Sequence, residues 1–216
     1  MYSFIKDKTF LKNMRRECSG IINQLVQLIN GEDILRVEAH LVGSGAKNLE
    51  TQNANEPIDL DYNLVILGAL ELDPTDCKGI KEYVRISFNK VLRKNYWGDC
   101  KDSSSVLTTK KFRFKEGNQS WFSIDLAIVC EVKETWYRLI HKKTGIVAND
   151  EYYWNESPHS KGLYRKVVWL KDNHLWNAVR DTYLEKKNMY LSRGDHNHPS
   201  FICYIEAVNE VYKAYK

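Results

Sequence analysis

Between Phe4 and Asn30 the apolar residues Leu11, Met14, Cys18, Ile21, Leu25 and Ile29 recur at steps of three and four. That spacing lays one stripe along an α-helix, and Asn30-Gly31 predicts its stop as a left-handed cap. Ile34 to Val42 reads as a strand running into Gly43-Ser44-Gly45. Ala46 to Glu50 predicts a short helix, and the polar stretch Thr51 to Pro57 a loop. Ile58 to Leu67 (IDLDYNLVIL) has the β-branched and aromatic content of a strand. Helical spacing returns over Thr75 to Asn95, through Ile80, Val84, Phe88 and Val91. Two more strands are expected at Ser105 to Phe114 and Trp121 to Cys130, then a hairpin or edge pair at Thr135 to Lys142 and Glu151 to Trp154. From Leu163 onward helical patterns dominate, including Leu175 to Tyr190 and Phe201 to Tyr215. There is no internal repeat.

The order of elements predicts an α+β chain: a mixed β-sheet flanked by helices, followed by a C-terminal helical lobe. One face of the sheet is expected to be covered and the other open to a cleft. The boundary falls near Ser157 to Gly162, giving a first lobe over 1–160 and a helical lobe over 161–216. The N-terminal helix is free to pack on the C-terminal helices.

Composition narrows the class. With 216 residues, 43% hydrophobic and 28% charged, the chain is neither disordered nor collagen-like. No run approaches the roughly 18 apolar residues of a membrane span, so no membrane partner is expected. MYSFIKDKTFLKN lacks the apolar segment of a secretory leader. Cys18, Cys77, Cys100, Cys130 and Cys203 are odd in number and never form a C-x-x-C pair, which argues for reduced thiols and a cytoplasmic location. The net charge of +4 is mild. Between Lys161 and Arg193, however, eight Lys/Arg face three acids, a local excess that suits a phosphate-rich ligand or a solvated helix face.

Candidate chemistry lies on two strands. Residues i and i+2 of a strand share a face, so Asp59 and Asp61 project together while Leu60, Tyr62, Leu64 and Ile66 take the other side. In FSIDLAIV the same period buries Ile124, Leu126 and Ile128 and turns Asp125 away. If these strands are neighbours, three carboxylates converge on one sheet face. Crowded carboxylates repel one another, an arrangement that makes sense around a divalent cation. Hard oxygen ligands suit magnesium, with substrate phosphates completing the shell. Gly43-Ser44 supplies the complement: glycine lets the backbone approach a phosphate, the hydroxyl and amides donate to it, and a helix starting near Ala46 would add its positive end.

VGSGAKN, IDLDYNLVI and FSIDLAIV, in this order, resemble the DNA polymerase β-type nucleotidyltransferase superfamily. The fourteen-residue gap between Ser44 and Asp59 is similar to the branch of cyclic GMP-AMP synthase, oligoadenylate synthases and bacterial cyclic-oligonucleotide synthases. The resemblance covers about Ile34 to Cys130. It implies a nucleotidyltransferase fold and the transfer of a nucleoside monophosphate from a nucleoside triphosphate to an acceptor hydroxyl, releasing pyrophosphate. It further implies two magnesium ions, with manganese as a substitute. Asp59 and Asp61 would bind both, Asp125 would bind the one that activates the acceptor, and Gly43 and Ser44 would hold the β/γ-phosphates. Asp125 or a metal-bound hydroxide would take the proton.

HPSFICYIEAVNEV is similar to a helix start in that branch. By that likeness Ser200 contacts the triphosphate and Phe201 stacks on the base, with ordinary core as the alternative for Phe201. The phosphate-holding lysine of the preceding helix falls on Lys186 or Lys187, with Arg180 third and ordinary surface lysines as the alternative. The acceptor stays open between a nucleotide, a small molecule and a protein. So do the rivals: a nucleotide- or protein-binding member without turnover, and an antibiotic-modifying or toxin-antitoxin nucleotidyltransferase. Asp195-His196-Asn197-His198 lacks the spaced partners of a zinc site and reads as a polar loop. Tyr152-Tyr153-Trp154 reads as a hairpin packed on the core rather than a stacking platform.

Overall fold

The computed structural model describes residues 1–157, 161–195 and 198–216. Its strands are β1 (Tyr2–Phe4), β2 (Leu35–Leu41), β3 (Thr51–Asn53), β4 (Ile58–Ala69), β5 (Lys101–Asp102), β6 (Leu107–Thr108), β7 (Phe122–Val132), β8 (Thr135–Lys142) and β9 (Glu151–Glu156). Its helices are α1 (Lys8–Gly31), α2 (Cys77–Lys94), α3 (Lys161–Asp172), α4 (Trp176–Ser192) and α5 (Ser200–Tyr215). The chain divides into two units. One holds Asp7–Lys47 and Pro57–Ser157; the other holds Met1–Lys6, Asn48–Glu56 and the described part of 158–216. The division differs from a plain 1–160/161–216 split, because two short early segments go with the helical tail. α1, expected as free to join the tail, lies in the sheet unit.

In the sheet unit the strand order is β2-β4-β7-β6-β5, with β8 also on β7 and β9 beyond it. β4 and β7 run parallel; β2 is antiparallel to β4, and β6 and β8 are antiparallel to β7. Of the stripe read from the sequence, Met14, Cys18, Ile21, Leu25 and Ile29 form the buried side of α1, joined by Phe10 and Ile22, while Leu11 is only partly buried. The Asp7 carboxylate accepts from the Phe10 amide at 2.9 Å and caps its start. Leu60, Tyr62, Leu64, Ile124, Leu126 and Ile128 are all at most 3% exposed, which makes theirs the covered sheet face. Ser19 of α1 meets the Tyr62 hydroxyl at 2.9 Å on that face.

Four local expectations need correction. The left-handed residue after α1 is Asp33 (φ 54), not Gly31. The Asn30 amide instead pairs with the Val37 backbone in both directions, at 2.8 and 3.0 Å, which turns the chain into β2. Ala46 to Glu50 makes only a 3-10 turn over Gly45–Lys47, too short to carry a helix dipole. Ser105 to Phe114 is not one strand: β6 is two residues long and Phe112 adds a single bridge to Phe122. Trp97, Phe112, Phe114 and Phe122 cluster there with ring centroids 4.7 to 6.1 Å apart, so ring packing replaces the ladder. Lastly, Thr51–Asn53 is a strand, because Tyr2–Phe4 pairs with it across the chain.

The helical unit has its own core of Leu49, Leu170, Val179, Tyr183, Cys203, Tyr204, Ala207, Val208 and Val211. All five cysteines are free thiols. β8 and β9 form the expected hairpin. Tyr152 stacks on His141 and Trp154 donates to the Pro74 carbonyl, while Tyr153 is 41% exposed. Among the described residues no helix is long and apolar enough to cross a membrane.

Candidate active site

β4 and β7 are adjacent and parallel, with Asp61 opposite Asp125 and Asp59 opposite Ser123. Partners across a parallel ladder project to the same side, so Asp59, Asp61 and Asp125 all stand on the sheet face opposite Tyr62 and its α1 partner Ser19. Hydroxyls hold the two flanking acids. Ser123 Oγ donates to Asp59 Oδ1, and Thr108 Oγ1 donates to Asp125 Oδ1 at 2.6 Å.

Asp61 sits between them. Burial pushes its carboxyl up to about 6, and the charges of Asp125 and Asp59 add to the rise. Arg138 and Lys47 are the cations whose fields pull it back. Burial likewise raises the Asp125 carboxyl, with Asp59 adding and the Thr108 hydrogen bond opposing.

β2 ends one step before the site. The Val42 amide donates to the Asp61 carbonyl at 2.8 Å, and Gly43 turns with φ +62. A Cβ on Gly43 would lie 2.1 Å from Asp61 Oδ2. Only glycine lets the backbone lie against this carboxylate. Lys47 donates from Nζ to the Gly43 carbonyl at 2.9 Å, fixing the turn that carries Ser44.

The donor set is carboxylate oxygen throughout, with mutual repulsion that a divalent cation would relieve; by donor chemistry it fits magnesium or manganese. Among the described residues no three His, Cys, Asp or Glu side chains already converge as a ligand cluster. Asp59 and Asp125 are engaged by Ser123 and Thr108 instead.

In the helical unit, Lys186 pairs with Glu210 at 2.6 Å. Lys187 donates to Thr51 Oγ1 at 3.0 Å and lies 3.9 Å above the Tyr2 ring, where burial lowers its pKa. Arg180 covers the Phe4 ring at 4.2 Å. Ser200 opens α5, and Phe201 beside it is 47% exposed, so Phe201 is not core. His198 bonds Asp195 and stacks on Tyr190, while His196 and Asn197 lie outside the described residues.

The sequence reading missed Ser123, Thr108, Lys47 and Arg138. Ser123 was within reach, since it lies two residues before Asp125 on one strand face. Thr108 was not, because its place depends on which short segment pairs with β7.

No protein-family model matches the chain, and no curated protein sequence does. Solved structures do. The chain is similar to CdnC of E. coli MS115-1, solved with ATP, at 15% identity and a TM-score of 0.58, covering 94% of this chain and 61% of that one. CdnC in complex with HORMA-deltaN gives 16% identity and the same TM-score of 0.58, over 94% of this chain and 60% of that one. The CdnE cyclic dinucleotide synthase of Elizabethkingia meningoseptica, solved with GTP and Apcpp, gives 12% and 0.51, over 88% and 68%. The chain thus spans about three fifths of the length of the CdnC chains. It shares the fold of these proteins.

Proposed function

We propose that the chain is a divalent-cation-dependent nucleotidyltransferase. It would move a nucleoside monophosphate from a nucleoside triphosphate to an acceptor hydroxyl and release pyrophosphate. The observation that carries this reading is the in-register pair Asp61–Asp125 with the Gly43 backbone laid against Asp61. The ATP, GTP and Apcpp named with CdnC and CdnE support the substrate class.

Asp59, Asp61 and Asp125 would hold two magnesium ions, which when bound neutralise the triphosphate and acidify the acceptor hydroxyl. Gly43 and Ser44 bind the β/γ-phosphates, Gly43 by leaving room for them and Ser44 by donating. As the acceptor oxygen bonds to the α-phosphorus, the bond from that phosphorus to the bridging oxygen breaks and pyrophosphate keeps the electron pair. Thr108 donates to Asp125 Oδ1, which leaves Oδ2 for the cation that would bind there; Asp125 or a hydroxide takes the acceptor proton. In the helical unit Ser200 and Lys186 or Lys187 serve the triphosphate and Phe201 the base.

The second reading is nucleotide binding without turnover. Incubation with each nucleoside triphosphate and magnesium, followed by mass analysis, separates the two. Transfer yields a new product and pyrophosphate, both lost in Asp61→Asn. Thermal stabilisation by a triphosphate without any product would replace transfer by binding.

A further inference from the structure

β6 is only Leu107–Thr108, yet it is held from several sides. Thr108 pairs with Asp125 and with Lys101, and its hydroxyl reaches Asp125 Oδ1 at 2.6 Å. The next residue, Thr109, ends the ladder: its hydroxyl accepts from the Ile124 amide at 2.9 Å while its own amide donates to the Ile124 carbonyl. The turn linking β5 to β6 is pinned from outside. Lys81 Nζ donates to the Ser103 carbonyl at 2.8 Å and pairs with Asp102 at 2.7 Å. The His141 amide donates to the Ser104 carbonyl at 2.7 Å, and the His141 ring contacts Asp102 at 2.7 Å and Asp150 at 2.8 Å. Lys81 and His141 are 3% and 5% exposed, so this clamp is built into the core rather than spread on the surface.

A clamped two-residue strand whose side chain bonds a site carboxylate is an orienting device. We propose that Thr108 is a positioning residue for Asp125. Its hydroxyl fixes the carboxylate while leaving the negative charge unneutralised, and the Lys81–Asp102–His141 clamp fixes the hydroxyl. A lysine or arginine in that place would orient Asp125 equally well but would compete with a cation for its charge. Ser123 stands in the same relation to Asp59. The inference rests on the nucleotidyltransferase reading for its effect on rate, and on geometry alone for its effect on cation binding.

The test compares Thr108→Val, which keeps shape and removes the hydroxyl, with Thr108→Ser, which keeps the hydroxyl. With ATP and GTP as probes and magnesium present, Thr108→Val should lose roughly tenfold to a hundredfold in kcat, the scale of one hydrogen bond to a charged group. The KM for nucleotide should stay within about twofold, because Thr108 is assigned no contact with the triphosphate. Thr108→Ser should recover most of the loss. Manganese titration of the nucleotide-free protein, followed by electron paramagnetic resonance, should show weaker binding in Thr108→Val and restored binding in Thr108→Ser. Unchanged kcat, an equal rise in KM, or failure of serine to rescue would overturn the inference. If the wild-type chain makes no product from any triphosphate, the underlying reading falls. The manganese titration then decides alone: weaker binding in Thr108→Val supports the positioning role, and equal binding overturns it.

Discussion

Gly43 and Asp61 lie so close that a single methyl group cannot be placed between them: a Cβ built on Gly43 meets Asp61 Oδ2 at 2.1 Å. They are eighteen residues apart in the chain and are joined by the bond from the Val42 amide to the Asp61 carbonyl. A backbone turn and a half-buried carboxylate therefore form one surface, with both left-handed geometry and close approach demanding glycine at position 43.

Gly43→Ala should destabilise the sheet unit by roughly 2 kcal/mol or more, combining φ > 0 strain with displacement of Asp61. Gly20→Ala is the control. Gly20 lies inside α1 with nothing within 4 Å of an added Cβ, so alanine there should stabilise by about 0.5–1 kcal/mol. Urea unfolding of both variants checks the opposite signs.

The Asp61 carboxyl, raised from 3.8 to about 6, sets a pH dependence on the cation-free protein. Below pH ~4 it is protonated in folded and unfolded chains alike and costs nothing. Above pH ~6 it is charged in both, and only the folded chain bears the burial and repulsion. Stability should therefore fall as pH rises from about 4 to about 6, by on the order of 2–3 kcal/mol. Asp61→Asn should flatten that segment and melt higher than wild type at pH 7 in EDTA. Magnesium should restore the wild type and leave the variant unmoved.

Asp102→Asn leaves Lys81 charged and 3% exposed with no carboxylate partner. Burial already lowers the Lys81 pKa against the pull of Asp102. The cost of breaking such a pair is about 3 kcal/mol, read as a drop in denaturant midpoint. Replacing both residues, as in Lys81→Met with Asp102→Asn, should cost less than the sum of the single changes.

In the helical unit, Phe201→Ala should leave the melting temperature nearly unchanged, since the ring is 47% exposed. Triphosphate affinity should nevertheless fall by about 1–3 kcal/mol if the ring stacks on a base. Lys187→Met loses the Thr51 bond and the Tyr2 contact, so it should destabilise by ~1 kcal/mol. Lys186→Met removes a partly exposed pair with Glu210 and should not. Calorimetric titration with a non-hydrolysable triphosphate, alongside melting of all three variants, separates binding from folding.

Much of this molecule was readable without coordinates because the signals are local. The stripe of Met14, Cys18, Ile21 and Leu25 announces α1, and alternation in IDLDYN and FSIDLA decides which side each aspartate takes. Side-chain direction in a helix or strand depends only on the chain's own period. Thr51–Asn53 shows the limit: nothing apolar or alternating marks it as a strand, and it becomes one only because Tyr2–Phe4 lies alongside. Phe112 and Phe114 show the reverse, a strand-like run whose rings found better partners in Trp97 and Phe122.

Alternation places Asp61 and Asp125 each on one face, but only the parallel register of β4 with β7 sets them opposite each other. Thr108 acquires its role only because the β5–β6 hairpin is clamped by Lys81 and His141, from a helix before it and a strand after it. Neighbour choice and register are decided by contacts between segments far apart in the chain, where no periodicity within one segment can report them.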